Sequence, residues 1–249
     1  MSVLLSGWGV VVYGQVDDPV GGMRAANAVY ENGRYAEAAQ LYEQLVRAGF
    51  EEGALYYNLG NAYFQQGELG RAILNYKRAM LLTPRDRDVR ANLALARGQR
   101  IDRYDEGEGT LLELWSGWTR RWMTVNEMAG LVLGLWCLVM VMVMVYGRLG
   151  TEARGWGRWL LLVVVVVWLG GVMSLGNRVY LAEARPAGVV VTGEVAVLSG
   201  PGEQYGVAFE LHSGAEVAVL EGRGSWVRLA LPGDELQGWV PESMVGMVR

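Results

Sequence analysis

Cysteine and histidine are almost absent from this 249-residue chain: Cys137 and His212 are the only ones. One cysteine excludes a disulfide within the chain, and the pair supplies no zinc constellation. Cys137 falls in an apolar run far from His212, so a Cys–His nucleophile pair is excluded on ordinary geometry. No serine sits in a G-x-S-x-G setting, which leaves a histidine-dependent serine triad without support. His212 reads as a surface residue of a strand or loop. The net charge of −4 is modest and no basic stripe occurs, so nucleic acid is a poor candidate partner. These absences predict a protein that is not an enzyme and that uses no cofactor or metal.

Charge is also missing from two long runs, Met128–Tyr146 and Trp159–Leu175. A bilayer core takes about 20 apolar residues as a helix, and neither run carries the polar stripe of a helix packed on a soluble domain. The spacing predicts transmembrane helices over 125–146 and 159–177. Between them a short loop, 147–158, carries Arg148, Glu152, Arg154 and Arg158, so the spans form an antiparallel hairpin. Trp122, Trp136, Tyr146, Trp156, Trp159 and Trp168 sit near the ends of the runs or within them, several where aromatic belts belong. A hairpin puts everything before Met128 and everything after Leu175 on one side of the membrane. Residues 1–15, with the apolar core Val3–Val12, read as an export signal. Loop arginines are balanced against Arg120, Arg121, Arg178 and Arg185, so the export signal decides the topology. Both soluble parts are expected outside the bacterial cytoplasmic membrane, on its periplasmic side.

Residues 17–103 repeat. A shift of 34 residues lays ANAVYENGRYAEAAQLYEQL on GNAYFQQGELGRAILNYKRA and brings Asn27 onto Asn61, Gly33 onto Gly67, Ala38 onto Ala72 and Tyr42 onto Tyr76. That is the period of tetratricopeptide repeats. The second copy keeps Tyr56, Leu59, Gly60, Tyr63, Ala72, Tyr76, Ala79 and Pro84; the first departs at Gly22, Ala25 and Val29. Gly60 and Ala72 let paired helices approach, Gly67 ends a helix, and Pro84 stops the next one. DVRANLALARGQR, with Asn92-Leu93 repeating Asn58-Leu59, reads as a capping helix. The first helix of each repeat lines a concave face, so a partner groove of Asn27, Tyr30, Tyr57, Asn58, Asn61, Phe64 and Asn92 is expected. Amides there can donate to and accept from a peptide backbone. Asn27 and Asn58 match the asparagines of carboxylate-clamp repeats, but Met23 and Asp88 stand where two of the clamp's cations belong.

Residues 104–124 read as an acidic linker from Asp102 onward followed by an interfacial amphipathic helix, with Leu111, Trp115, Trp118 and Trp122 at helical spacing. A simple extension of the first span fits as well. Residues 187–249 change to short alternating runs, such as Val217/Val219, Val227/Leu229 and Trp239/Val240, broken by Gly, Pro and Asp. VLSGPGEQYGVAFELHSG, GSWVRLAL and GWVPESMV resemble the bacterial SH3-like domain, a small barrel; Leu198 replaces an arginine common there. Trp226 and Trp239 read as core packing.

The fold class expected is therefore a multidomain membrane protein: an all-α tetratricopeptide solenoid, a two-helix transmembrane hairpin and a small all-β SH3-like barrel. That order of parts resembles the BatE-type proteins of the bacterial aerotolerance operon. The resemblance implies work in a complex, beside von Willebrand A-type membrane proteins and a MoxR-type ATPase, and implies no particular reaction. The function expected is a membrane-anchored protein–protein interaction scaffold of the bacterial envelope, its repeats docking a partner segment. The alternative is a cell-wall sensor that binds peptidoglycan through the SH3-like domain.

Overall fold

The computed structural model describes residues 18–102, 111–148, 150, 153–233 and 236–248. The expected export signal and residues 103–110 of the expected linker lie outside the described residues.

The repeat region forms five helices: α1 (Pro19–Glu31), α2 (Tyr35–Arg47), α3 (Gly53–Gln65), α4 (Leu69–Leu82) and α5 (Arg87–Gly98). Gly33 and Gly67, related by the repeat, both turn the chain at positive φ, 76° and 77°, where a side chain would be strained. Asp86 caps α5, its carboxylate accepting from the Asp88 and Val89 amides. The core is built from the repeated positions: Ala26, Ala38, Tyr42, Leu59, Ala62, Ala72, Tyr76 and Leu93 are all at most 3% exposed. Gly60 has no room for more than hydrogen, because a Cβ there would lie 2.7 Å from the Tyr76 ring.

Three helices follow: α6 (Leu111–Arg120), α7 (Val125–Arg148) and α8 (Ala153–Ala184). Helices α7 and α8 are long and apolar enough to cross a membrane, and their apolar side chains point outward. They run antiparallel in contact, with Trp136 and Trp168 rings 4.9 Å apart. A capping box starts α7: the Thr124 hydroxyl accepts from the Glu127 amide at 3.2 Å, and Glu127 accepts from the Thr124 amide at 2.9 Å. Helix α8 extends beyond the expected 177 to Ala184, where Pro186 ends it. The expected interfacial helix is separate from α7, broken by the turn at Arg121–Trp122. It also packs on α8, with Thr119 and Ser174 hydroxyls 3.1 Å apart.

The C-terminal part is a seven-stranded antiparallel sheet: β1 (Ala187–Val190), β2 (Glu194–Leu198), β3 (Val207–His212), β4 (Glu216–Arg223), β5 (Trp226–Ala230), β6 (Gln237–Pro241) and β7 (Val245–Met247). Its order is β3-β2-β6-β5-β4-β1-β7, so β3 and β7 are its end strands. Alternation along the strands places Val195, Val197, Val217, Val219, Val227, Leu229 and Val240 inside. The sheet seats on the repeats through β1 and α4. Val189 belongs to the helical core, and Val191 and Val248 pack against it. The two backbones meet at Gly70, where a Cβ would lie 2.2 Å from the Val190 carbonyl oxygen.

Candidate functional site

All seven expected groove residues are partly buried, and the structure brings them to one face formed by α1, α3 and α5. The asparagines among them are tied into a ladder. Tyr42 donates its hydroxyl to Asn27 Oδ1 at 2.6 Å, and Asn58 Nδ2 donates to the same oxygen at 3.1 Å. One repeat on, Tyr76 donates to Asn61 Oδ1 at 2.8 Å and Asn92 Nδ2 to the same oxygen at 2.9 Å. The two sets are copies displaced by the repeat period. Asn92 Nδ2 also donates to the Tyr57 hydroxyl at 3.1 Å.

The ladder explains why asparagine stands there. Each Oδ1 satisfies a tyrosine buried in the core, Tyr42 or Tyr76, both 1% exposed, and joins it to the next repeat. Burial, with the nearby Tyr30 and Glu31, pushes the Tyr42 hydroxyl up to about 12. Burial raises Tyr76 in the same direction. Both stay neutral donors at physiological pH. The sequence reading took all four asparagines as free for a ligand. The structure ties all four into two pairs, Asn27 with Asn58 and Asn61 with Asn92, leaving Nδ2 of Asn27 and of Asn61 without a partner among the described residues. Around them stand half-buried aromatics: Tyr30 beside Tyr35, ring centroids 5.1 Å apart, Tyr57 beside Tyr76 at 6.1 Å, and Phe64 against the core.

A second polar cluster lies at the seam between repeats and sheet, and no motif announces it. Glu216 of β4 receives Lys77 Nζ at 2.6 Å, Arg97 Nε and Nη2 at 2.6 and 2.7 Å, and Arg100 Nη1 at 3.0 Å. Lys77 is the only lysine in the chain. Burial works to raise the Glu216 carboxyl, but the Arg97 hydrogen bonds and the Lys77 charge outweigh it and hold the carboxyl at about 2. Arg78 adds two donors to the Met247 carbonyl, at 3.2 and 2.8 Å, and Ser213 Oγ accepts from the Gly70 amide at 2.9 Å. Asp102 accepts from the His212 amide at 2.7 Å and lies 3.0 Å from His212 Nδ1. Asp102 is a seam residue, not the start of a solvated linker; His212 is a partly exposed strand residue, as expected, and the pairing of the two is what the sequence does not show. They are 110 positions apart, and no periodicity links them.

In the sheet, Trp239 is 7% exposed, within the core. Trp226 is only partly buried and lines an open cleft with Gly202, Gln204, Ser225, Pro241 and Ser243. Expected core packing therefore describes Trp239 better than Trp226. Among the described residues no group of three or more His, Cys, Asp or Glu could hold a metal ion.

Residues 60–99 match the family model described as TPR repeat. The match runs from the middle of α3 through α5, and it marks this part of the chain as a protein–protein interaction module. A protein of Bacillus subtilis (strain 168) named "Putative N-acetylmuramoyl-L-alanine amidase YrvJ" is 30% identical over 83 residues. That stretch is 33% of this chain and 15% of that protein, so the chain spans a small part of its length.

Proposed function

We propose that this protein is a membrane-anchored scaffold of the bacterial envelope whose α1–α3–α5 face docks an extended segment of a partner protein, and that it catalyses no reaction itself. One observation carries the reading. The sheet sits on α4 and on the end of α5, so the first-helix face keeps two unbonded amide donors, on Asn27 and Asn61, ringed by aromatics. The donors recur with the repeat and suit the carbonyls of an extended backbone, while Tyr30 and Phe64 supply apolar contact area. The apolar pair α7 and α8 serves as the membrane anchor. The repeats and the C-terminal part, which we read as SH3-like, stand on its periplasmic side. The order of parts favours a BatE-type role, with von Willebrand A-type membrane proteins and a MoxR-type ATPase as the partner system.

Asn61 makes a poor test of docking, because its loss also strands Tyr76 in the core. The cleaner test is Tyr30→Ala with Phe64→Ala. A docking hot spot loses ≥2 kcal/mol on truncation, more than tenfold in affinity. The double variant, checked for an unchanged melting profile, should lose the partner retained by the unaltered protein after detergent solubilisation. Retention of that partner by the double variant counts against the reading.

A second reading, peptidoglycan binding by the C-terminal part, is favoured by the similarity to a protein named "Putative N-acetylmuramoyl-L-alanine amidase YrvJ". It places recognition in the Trp226 cleft. Purified sacculi should then retain the protein and lose it on Trp226→Ala.

A further inference from the structure

Arg178 of α8 is buried, 5% exposed, at the junction of α6, α7 and α8. Its Nη1 donates to the Met123 carbonyl at 3.0 Å, while Nε and Nη2 have no acceptor. The charge that acts on it comes from Arg120, a second cation in the last turn of α6. Among the described residues no carboxylate answers Arg178, and a buried cation without a partner is costly until an anion joins it.

The unbonded groups identify the anion's shape. Nε and Nη2 form the edge of the guanidinium that meets a tetrahedral oxyanion with two parallel hydrogen bonds. Their place in the fold points to its source. Arg178 bonds the residue just before the Thr124 cap of α7, and that cap's Glu127 pairs with Arg85 of the repeat region. The junction therefore lies where the hairpin meets the repeats. Trp115, Trp118 and Trp122 are exposed beside it, as side chains at headgroup depth commonly are. Helix α6 is fixed in place there by the buried Thr119–Ser174 pair.

We propose that Arg178, assisted by Arg120, binds the phosphate group of a membrane phospholipid at this junction. The inference rests on the reading of α7 and α8 as membrane spans. Because Nε and Nη2 are buried, entry of the phosphate needs the Arg178 side chain to change rotamer.

The test uses the full chain in detergent, with bound lipid counted by native mass spectrometry. The probes are phosphatidylglycerol and a diacylglycerol of the same chains without phosphate. The unaltered protein should retain phosphatidylglycerol and release the diacylglycerol. Arg178→Gln should weaken retention about tenfold, the loss of one charge-assisted contact, and Arg178→Lys should restore part of it. Arg120→Gln, on the exposed end of α6, supplies the readout should Arg178→Gln fail to fold. Equal retention of phosphatidylglycerol by the unaltered protein and both Gln variants overturns the proposal, and so does equal retention of the two lipids. Displacement by millimolar inorganic phosphate alone would assign the site to a free anion and overturn the lipid assignment. Recovery of the chain in the aqueous phase without detergent would instead sink the membrane reading itself.

Discussion

The first-helix face and the Glu216 seam are both polar networks at partly buried positions, yet they are built for opposite ends. The seam uses charge. Among the described residues one carboxylate takes three cations across the join, so the network closes two parts of the molecule on each other. The face uses neutral amides. Each Oδ1 is filled from within the repeats, and the Nδ2 groups of Asn27 and Asn61 are left facing out. A charged cluster left half-filled at a docking face would be expensive to desolvate, whereas an unfilled amide donor is satisfied by water until a peptide carbonyl replaces it. The seam is a joint, and the face, under the function proposed above, is a surface for exchange.

The largest effect should come from breaking the joint. Glu216→Leu takes away the carboxylate that Lys77, Arg97 and Arg100 share. Removing one partner of a buried pair costs ~3–5 kcal/mol, and the low end applies because the Arg97 side chain is 33% exposed. Thermal melting in detergent should fall accordingly, with faster amide exchange in β1 and β4. Next is Gly60→Leu, which drives a side chain into the Tyr76 ring and should cost ~1–3 kcal/mol. Its effect should be confined to the repeats, leaving the sheet's exchange rates unchanged. Asn61→Ala should cost about 1–2 kcal/mol by stranding the Tyr76 hydroxyl. A double variant with Tyr76→Phe should recover part of that loss, which measures the ladder's share directly.

The smallest effects are in pH, and they separate the two groups of the seam. Glu216 titrates at about 2 when folded, against 4.5 ordinarily, so its contribution is present above about 4.5 and drains away as pH falls toward 2. His212 is held above its ordinary value by its hydrogen bond to Asp102, against a smaller opposing effect of burial. That contribution is present below the unfolded value and is lost as pH rises through the raised one. A melting-temperature profile should thus show an acid shoulder abolished by Glu216→Leu. A weaker decline as pH rises past the ordinary histidine value should disappear in His212→Phe.

Much of the repeat architecture was legible because it is written twice. Asn27 and Asn61, or Tyr42 and Tyr76, announce themselves by the shift that superposes them, and the apolar runs of α7 and α8 need no context. The groove residues were legible as positions, but their bonding was not. Period shows that Asn27 and Asn61 play one part, and only geometry shows that the part is to satisfy a tyrosine. The last turns of α8, RVYLAEA, lie beyond the expected span because they are mixed in polarity and continue a helix whose apolar span has ended. Nothing local marks Glu216 either, because its partners Lys77, Arg97 and Arg100 come from a different fold class far back in the chain. Contacts between units carry no period, so a reading based on periods passes over them.

The account's central claim is that recognition belongs to the open first-helix face. It is tested most directly by placing a photo-crosslinking amino acid at Phe64 in the full-length protein in its native membrane. The same group at Leu81 on α4 and at Trp226 in the sheet cleft provides the comparison. The account predicts a covalent adduct with another protein from Phe64, competed away by an extended peptide of that protein, and none from Leu81. An adduct from Trp226 with no adduct from Phe64 would contradict it.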